Sequence, residues 1–227
     1  MPFELKQVVP WGRSFEEYAS MFSLTDNDLN NKILGCSDGP ASFNAQMKKN
    51  GQVCISVDPI YKFTAEGIEK RIDESFDEVL SQTRKNKNEF IWQNIKSVEE
   101  LGKIRKNAMC QFLADFELGK KENRYIAGEL PKLKFKNQQF DLALCSHFLF
   151  LYSKQFSLNF HVNSIKELCR VAKEVRIFPI LELGSKRSRH FEKILEILTG
   201  EKYRIEIKTV PYEFQKGGNK ILIVQGQ

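Results

Sequence analysis

The sequence predicts an α/β fold: a doubly wound three-layer sandwich around a mostly parallel, seven-stranded sheet whose last strand runs antiparallel. Three observations lead there. Short apolar runs at 32–36, 53–57, 125–127, 140–145 and 175–178 alternate with helical stretches, as in a parallel sheet covered on both faces. A glycine-bearing turn, Gly35-Cys36-Ser37-Asp38-Gly39, joins the first run to a helix, and an acid, Asp58, closes the second run. The final runs, 203–208 and 220–224, flank Gln215-Lys216-Gly217-Gly218-Asn219, the turn signal of an antiparallel pair.

A chain of 227 residues fits a single domain over residues 1–227, with a segment 1–30 ahead of the sheet and a helical insertion at 84–123. Hydrophobic content of 41% and aromatic content of 11% exclude a disordered chain. Lys+Arg 35 against Asp+Glu 29 leaves a net charge of +6. These bases are scattered among acids with no aromatic-basic motif, which points to a solvated surface rather than a nucleic-acid partner. Five cysteines without paired spacing imply free thiols in a reducing, cytoplasmic setting. No metal-ligand spacing occurs. The run Phe148-Leu149-Phe150-Leu151-Tyr152 is too short to span a membrane.

In chain order, Pro10 keeps its neighbourhood extended, and Ser14 with Glu17 makes a capping box for a helix whose stripe is Phe15, Tyr18, Ala19 and Phe22. That helix either packs on the sheet or, with Trp11 and Arg13, covers a ligand. After the glycine turn, Pro40 suits a first helical position, giving a helix over 41–49 stopped by Gly51. Tyr61, just past Asp58, either flanks a bound nucleoside or lies on the surface. Thr64 caps a long helix to about residue 82, with Ile68, Ile72, Phe76 and Leu80 buried. Ser97 and Glu100 open another, with Val98, Leu101, Ile104, Ala108, Phe112 and Phe116 on one face and Gly119 at its end.

The third strand ends beside Glu129, and the fourth beside Ser146-His147. Ligands in open α/β sheets sit outside such carboxyl ends. A helix over 156–172 precedes the fifth strand, which Pro179 terminates. The basic stretch 184–190 reads as a solvated loop leading into a helix capped by Ser188, with Phe191, Ile194, Leu195 and Leu198 buried.

Strand, glycine turn, helix, strand and acid together form a seat for an adenosine-containing ligand. A dinucleotide fingerprint needs a glycine where Ser37 stands, and a carboxylate such as Asp38 repels a pyrophosphate. The same carboxylate attracts an ammonium or sulfonium. The turn therefore favours S-adenosylmethionine (SAM) over NAD(P), which leaves a nicotinamide oxidoreductase as the weaker reading.

These residues resemble the class I SAM-dependent methyltransferases. Gly35-Cys36-Ser37-Asp38-Gly39 is similar to that family's first motif, Val57-Asp58 to the acidic end of its second strand, and Ala127-Gly128-Glu129-Leu130-Pro131 to the segment after its third. Phe140-Asp141-Leu142-Ala143-Leu144-Cys145-Ser146 resembles its fourth strand. The chain departs from the pattern at Ile33, where the family carries an acid, and at Ser37. The resemblance implies methyl transfer from SAM to an acceptor that the sequence does not identify, or SAM binding without turnover. It implies that Gly35, Ser37, Asp38 and Gly39, with Cys36, admit the methionine end. Asp58 and Pro59 would hold the ribose, and Glu129, Cys145 and Ser146 the adenine side. His147 is the one candidate general base, with a structural histidine as the alternative.

Overall fold

The computed structural model describes residues 3–5 and 7–226. The chain runs α1 (Phe15–Met21), α2 (Asp26–Leu29), β1 (Ile33–Cys36), α3 (Phe43–Lys49), β2 (Cys54–Val57), α4 (Ala65–Lys85), α5 (Val98–Lys121), β3 (Tyr125–Ile126) and β4 (Phe140–Ser146). It continues through α6 (Leu158–Val171), β5 (Ala172–Phe178), a small hairpin β6 (Leu181–Glu182) and β7 (Lys186–Arg187), α7 (Phe191–Gly200), β8 (Arg204–Thr209) and β9 (Lys220–Gln225).

Seven strands form one sheet in the order β3-β2-β1-β4-β5-β9-β8. The first five are parallel, and β9 lies antiparallel between β5 and β8. This is the mostly parallel sheet with an antiparallel last strand that the sequence predicts. All four residues of β1 are buried, as a strand covered on both faces requires.

Alternation along the strands sorts side chains into two cores. Leu34, Cys36, Ala143, Cys145, Val175 and Ile177 point to the layer of α6 and α7. Ile33, Leu142, Leu144 and Ile221 point to Tyr18, Met21, Phe43 and Met47 of α1 and α3. Each such aliphatic or aromatic side chain contributes about 1.5–3 kcal/mol on burial, so the two layers dominate stability.

Both long helices lie between β2 and β3. α5 packs on α3 and β3, and α4 packs on α5. Gly119 does not end α5 but sits within it. A Cβ there would come within 2.4 Å of the Tyr125 ring, so the glycine admits β3 against the helix. Ser97 accepts from the Glu100 amide, yet the Glu100 carboxylate turns to the Lys96 amide instead of closing the box.

Pro40 is not a first helical residue. The Ser42 amide donates to the Arg13 carbonyl at 3.0 Å, which holds residues 40–42 in a turn and delays α3 to Phe43. Gly12 makes that crossing feasible, since a Cβ there would lie 2.0 Å from the Pro40 oxygen. Ser188 does not cap α7, whose N-cap is His190; the Ser188 hydroxyl bonds Ser153 and accepts from the His190 amide. Among the described residues, no helix is long and apolar enough to cross a membrane.

Candidate functional site

The carboxyl ends of β1, β2, β4 and β5 open into a cleft of about 1030 Å³. Its floor is the turn after β1. Ser37 and Gly39 both have left-handed backbones, with φ of 57° and 53°. Ser37 therefore holds a conformation that glycine adopts at less cost, and its amide is anchored on the Val57 carbonyl at 2.8 Å. Beside Gly39 there is open space where a Cβ would stand.

Gly35 is needed for a different reason. A Cβ on it would lie 1.8 Å from an Asp38 carboxylate oxygen, so the Asp38 side chain folds back over Gly35. There it accepts from the Tyr18 hydroxyl at 2.9 Å and the Ser56 hydroxyl at 2.6 Å. Burial outweighs these hydrogen bonds and raises the Asp38 carboxyl to about 7.

Asp58 clamps the turn from the other side. One carboxylate oxygen accepts from the Gly39 amide at 2.9 Å and the other from the Ile60 amide at 2.8 Å. Each oxygen keeps a lone pair for a further donor. Burial raises this carboxyl to about 6. Tyr61 is neither a nucleoside flank nor a surface ring. It is buried against Phe112, and its hydroxyl donates to the Gly39 carbonyl at 2.7 Å.

At the end of β4, Ser146 Oγ and His147 Nδ1 share a hydrogen bond of 2.9 Å. The His147 backbone is left-handed (φ 50°) and its amide donates to the Phe178 carbonyl at 2.6 Å, which aims the ring into the cleft. Burial, reinforced by the nearby Arg13 and Arg105 charges, lowers the imidazole well below its usual range. His147 is therefore neutral, with Nδ1 engaged by Ser146.

Of the residues singled out from sequence, Ser37, Asp38, Gly39, Asp58, Pro59, Glu129, Ser146 and His147 line this cleft. So do Trp11, Arg13 and Tyr18 of the N-terminal segment, whose residues 1, 2 and 6 lie outside the described residues. Gly35, Cys36 and Cys145 stand behind the wall: Gly35 is covered by Asp38, and both thiols are buried in the core on the α6–α7 face.

Sequence reading missed a polar cluster that reaches the cleft through Arg105 and Tyr212. Arg105 of α5 pairs with Glu17 of α1, and the Tyr212 hydroxyl donates to Glu17 at 2.9 Å. The signal was present, because Arg105 interrupts an apolar stripe between Leu101 and Met109 at i, i+4 spacing. An arginine is almost never fully buried unless paired, so one in such a stripe signals a buried partner.

The Asp38 environment sets a pH dependence. Its folded value lies above the unfolded one, so the folded state holds the extra proton and stability falls as pH rises through the interval from about 4 to 7. Asp38→Asn removes that dependence. The stability difference, variant minus wild type, is expected to rise by about 2–4 kcal/mol between pH 5 and pH 8. Thermal melts of both proteins at the two pH values check this, and a difference that does not move with pH contradicts it.

No family model matches the chain. Its fold is similar to that of magnesium protoporphyrin IX methyltransferase from Synechocystis PCC 6803, solved with bound SAM, at TM-score 0.47 and 12% identity, covering 93% of this chain and 77% of that one. It is also similar to a SAM-dependent methyltransferase from Thermotoga maritima, at TM-score 0.44 and 12% identity, covering 94% and 90%. In sequence it is 39% identical over 222 residues, 97% of each chain, to the uncharacterized protein MJ0045 of Methanocaldococcus jannaschii. With that identity sustained end to end, the chain belongs to the same family as the Methanocaldococcus jannaschii protein.

Proposed function

We propose that the protein is a SAM-dependent methyltransferase acting on a small acceptor. The observation that carries this reading is the Asp58 clamp. A carboxylate at the end of β2 holds the Gly39 amide and keeps free lone pairs toward the cleft, where paired ribose hydroxyls would donate. The open side of Gly39 leaves room for a ligand against the backbone. These residues fit an adenosyl group.

On this reading Asp58 and Pro59 hold the ribose, Ser37 and Gly39 border the methionine end, and Glu129 and Ser146 border the adenine. Gly35, Cys36 and Cys145 act from behind, by shaping the strands. Asp38 stands on the face of β1 that Ile33 shares, so it takes over the position of the acid that Ile33 lacks. A cationic ligand group beside it favours its ionised form. The N-terminal segment and the insertion 84–123, through Trp11, Phe90 and Arg105, wall the acceptor end.

When bound, SAM supplies a methyl group already activated by its sulfonium. The chain's part is to align the acceptor and exclude water. Phe148, Phe178 and Tyr212 give the cleft an apolar wall for that purpose. In the neutral tautomer whose Nδ1–H donates to Ser146 Oγ, His147 has Nε2 left to take a proton from an acceptor N–H or O–H as that atom becomes bonded to carbon.

Calorimetric titration tests the reading. Affinity for SAM and S-adenosylhomocysteine is expected to exceed that for NAD and NADP by at least about a hundredfold, roughly 2.7 kcal/mol. Tighter binding of a nicotinamide dinucleotide overturns it in favour of an oxidoreductase. Turnover on an acceptor panel separates the enzyme from a protein that binds SAM without reacting.

A further inference from the structure

The cleft contains two guanidinium groups that share one carboxylate, which leaves an excess positive charge. Arg13 and Arg105 both line it, and their guanidinium groups are close enough for each to feel the other's charge. Among the described residues Glu17 is the one carboxylate in an ion pair with either; it pairs with Arg105 and its charge also acts on Arg13. Its oxygens accept from the Ser14 amide at 3.0 Å, from Arg105, and from the Tyr212 hydroxyl at 2.9 Å. The other acid nearby, Asp38, is engaged by Tyr18 and Ser56. His147 and Tyr152, which also face Arg13, are neutral.

Arg13 has one hydrogen bond of its own, from Nη1 to the Trp11 carbonyl at 3.1 Å. The Nε atoms of Arg13 and Arg105 are both buried and without a partner. Arg105 is only 1% exposed. Arg13 is half-buried and Arg105 already holds Glu17, so the unused donors are the two buried Nε–H groups and the remaining Arg13 fork, whose geometry matches a carboxylate. Burial and the like charge of Arg105 hold the Arg13 guanidinium below its ordinary value, against the opposing pull of Tyr212 and Glu17.

Around this pair the wall is aromatic: Trp11, Phe148, Tyr152, Phe178 and Tyr212. We propose that Arg13 and Arg105 form an oxyanion subsite at the acceptor end of the cleft, and that the acceptor is a small aromatic molecule bearing a carboxylate. This deepens the methyltransferase reading and rests on it for the word acceptor, not for the anion site. The methionine carboxylate of SAM offers the same chemistry, so the experiment must separate the two.

Benzoate and benzamide, equal in shape and different in charge, are titrated by NMR into the full-length protein, free and saturated with S-adenosylhomocysteine. Wild type is expected to bind benzoate at least tenfold more tightly than benzamide in both states. Arg13→Gln is expected to erase that preference, and Arg13→Lys to retain part of it. In parallel, S-adenosylhomocysteine and 5′-methylthioadenosine, which lacks the amino-acid portion, are compared on wild type and Arg13→Gln. Their affinity ratio is expected to be unchanged. Equal binding of benzoate and benzamide by wild type overturns the proposal. So does a collapse of the S-adenosylhomocysteine preference in Arg13→Gln, which would put the guanidinium on the methionine carboxylate. Failure of wild type to bind S-adenosylhomocysteine at all would sink the methyltransferase reading, while the benzoate comparison on the free protein would still decide the subsite.

Discussion

Asp58→Ala is expected to lower affinity for S-adenosylhomocysteine by about a hundredfold and to loosen the turn after β1. Two effects combine. Hydrogen bonds to a carboxylate contribute about 1.5–3 kcal/mol each, so loss of paired ribose hydroxyls accounts for the affinity term. The Gly39 and Ile60 amides, now 2.9 and 2.8 Å from the carboxylate, also lose their acceptors. That second loss is expected to lower stability by about 1–3 kcal/mol. Calorimetry and denaturant unfolding measure the two separately. Asp58→Asn, which offers one acceptor to two amides, should recover only part of the stability and little of the affinity. Unchanged binding in Asp58→Ala would mean that the ligand lies elsewhere in the cleft.

Arg105→Met is expected to destabilise the protein by about 3–5 kcal/mol, because removing one partner of a buried ion pair strands the other. Glu17 would keep the Ser14 amide and the Tyr212 hydroxyl but lose its cation, at a position where α1, α5 and the segment before β9 meet. For a chain of this size, that corresponds to a fall of roughly 6–20 °C in melting temperature. The double variant Glu17→Gln/Arg105→Met should recover part of the loss, and a double-mutant cycle gives the coupling directly. A loss below about 1 kcal/mol would show that Arg13 swings in to replace Arg105. The two-cation subsite would then be wrong.

The sheet was legible because its signals are local and repeated. Apolar runs at 33–36, 54–57 and 140–146 are buried whatever else the chain does, and Gly35, Gly39 and Asp58 sit at fixed offsets from them. Helix starts that depend on one side chain, such as Ser14 with Glu17 and Thr64 with the Gly67 amide, were equally readable. What failed was set by partners distant in sequence. Pro40 leaves the helix because Arg13 captures the Ser42 amide. Gly119 stays inside α5 because Tyr125 returns against it.

The site divides the same way. Asp58, Ser146 and His147 reach the cleft by strand-end position alone. Asp38 reaches it too, but its direction could not be read, since it turns on the space that Gly35 leaves and on the Tyr18 and Ser56 hydroxyls. The Arg105–Glu17–Tyr212 cluster joins residues 88 and 195 positions apart, and only the folded chain brings them together.

A crystal structure of the protein with S-adenosylhomocysteine decides whether this cleft seats the nucleoside. Both ribose hydroxyls are expected on the Asp58 carboxylate, with the nucleoside thioether lying over Gly39. A cleft that stays closed to the ligand, or a ligand whose ribose makes no contact with Asp58, would contradict that placement.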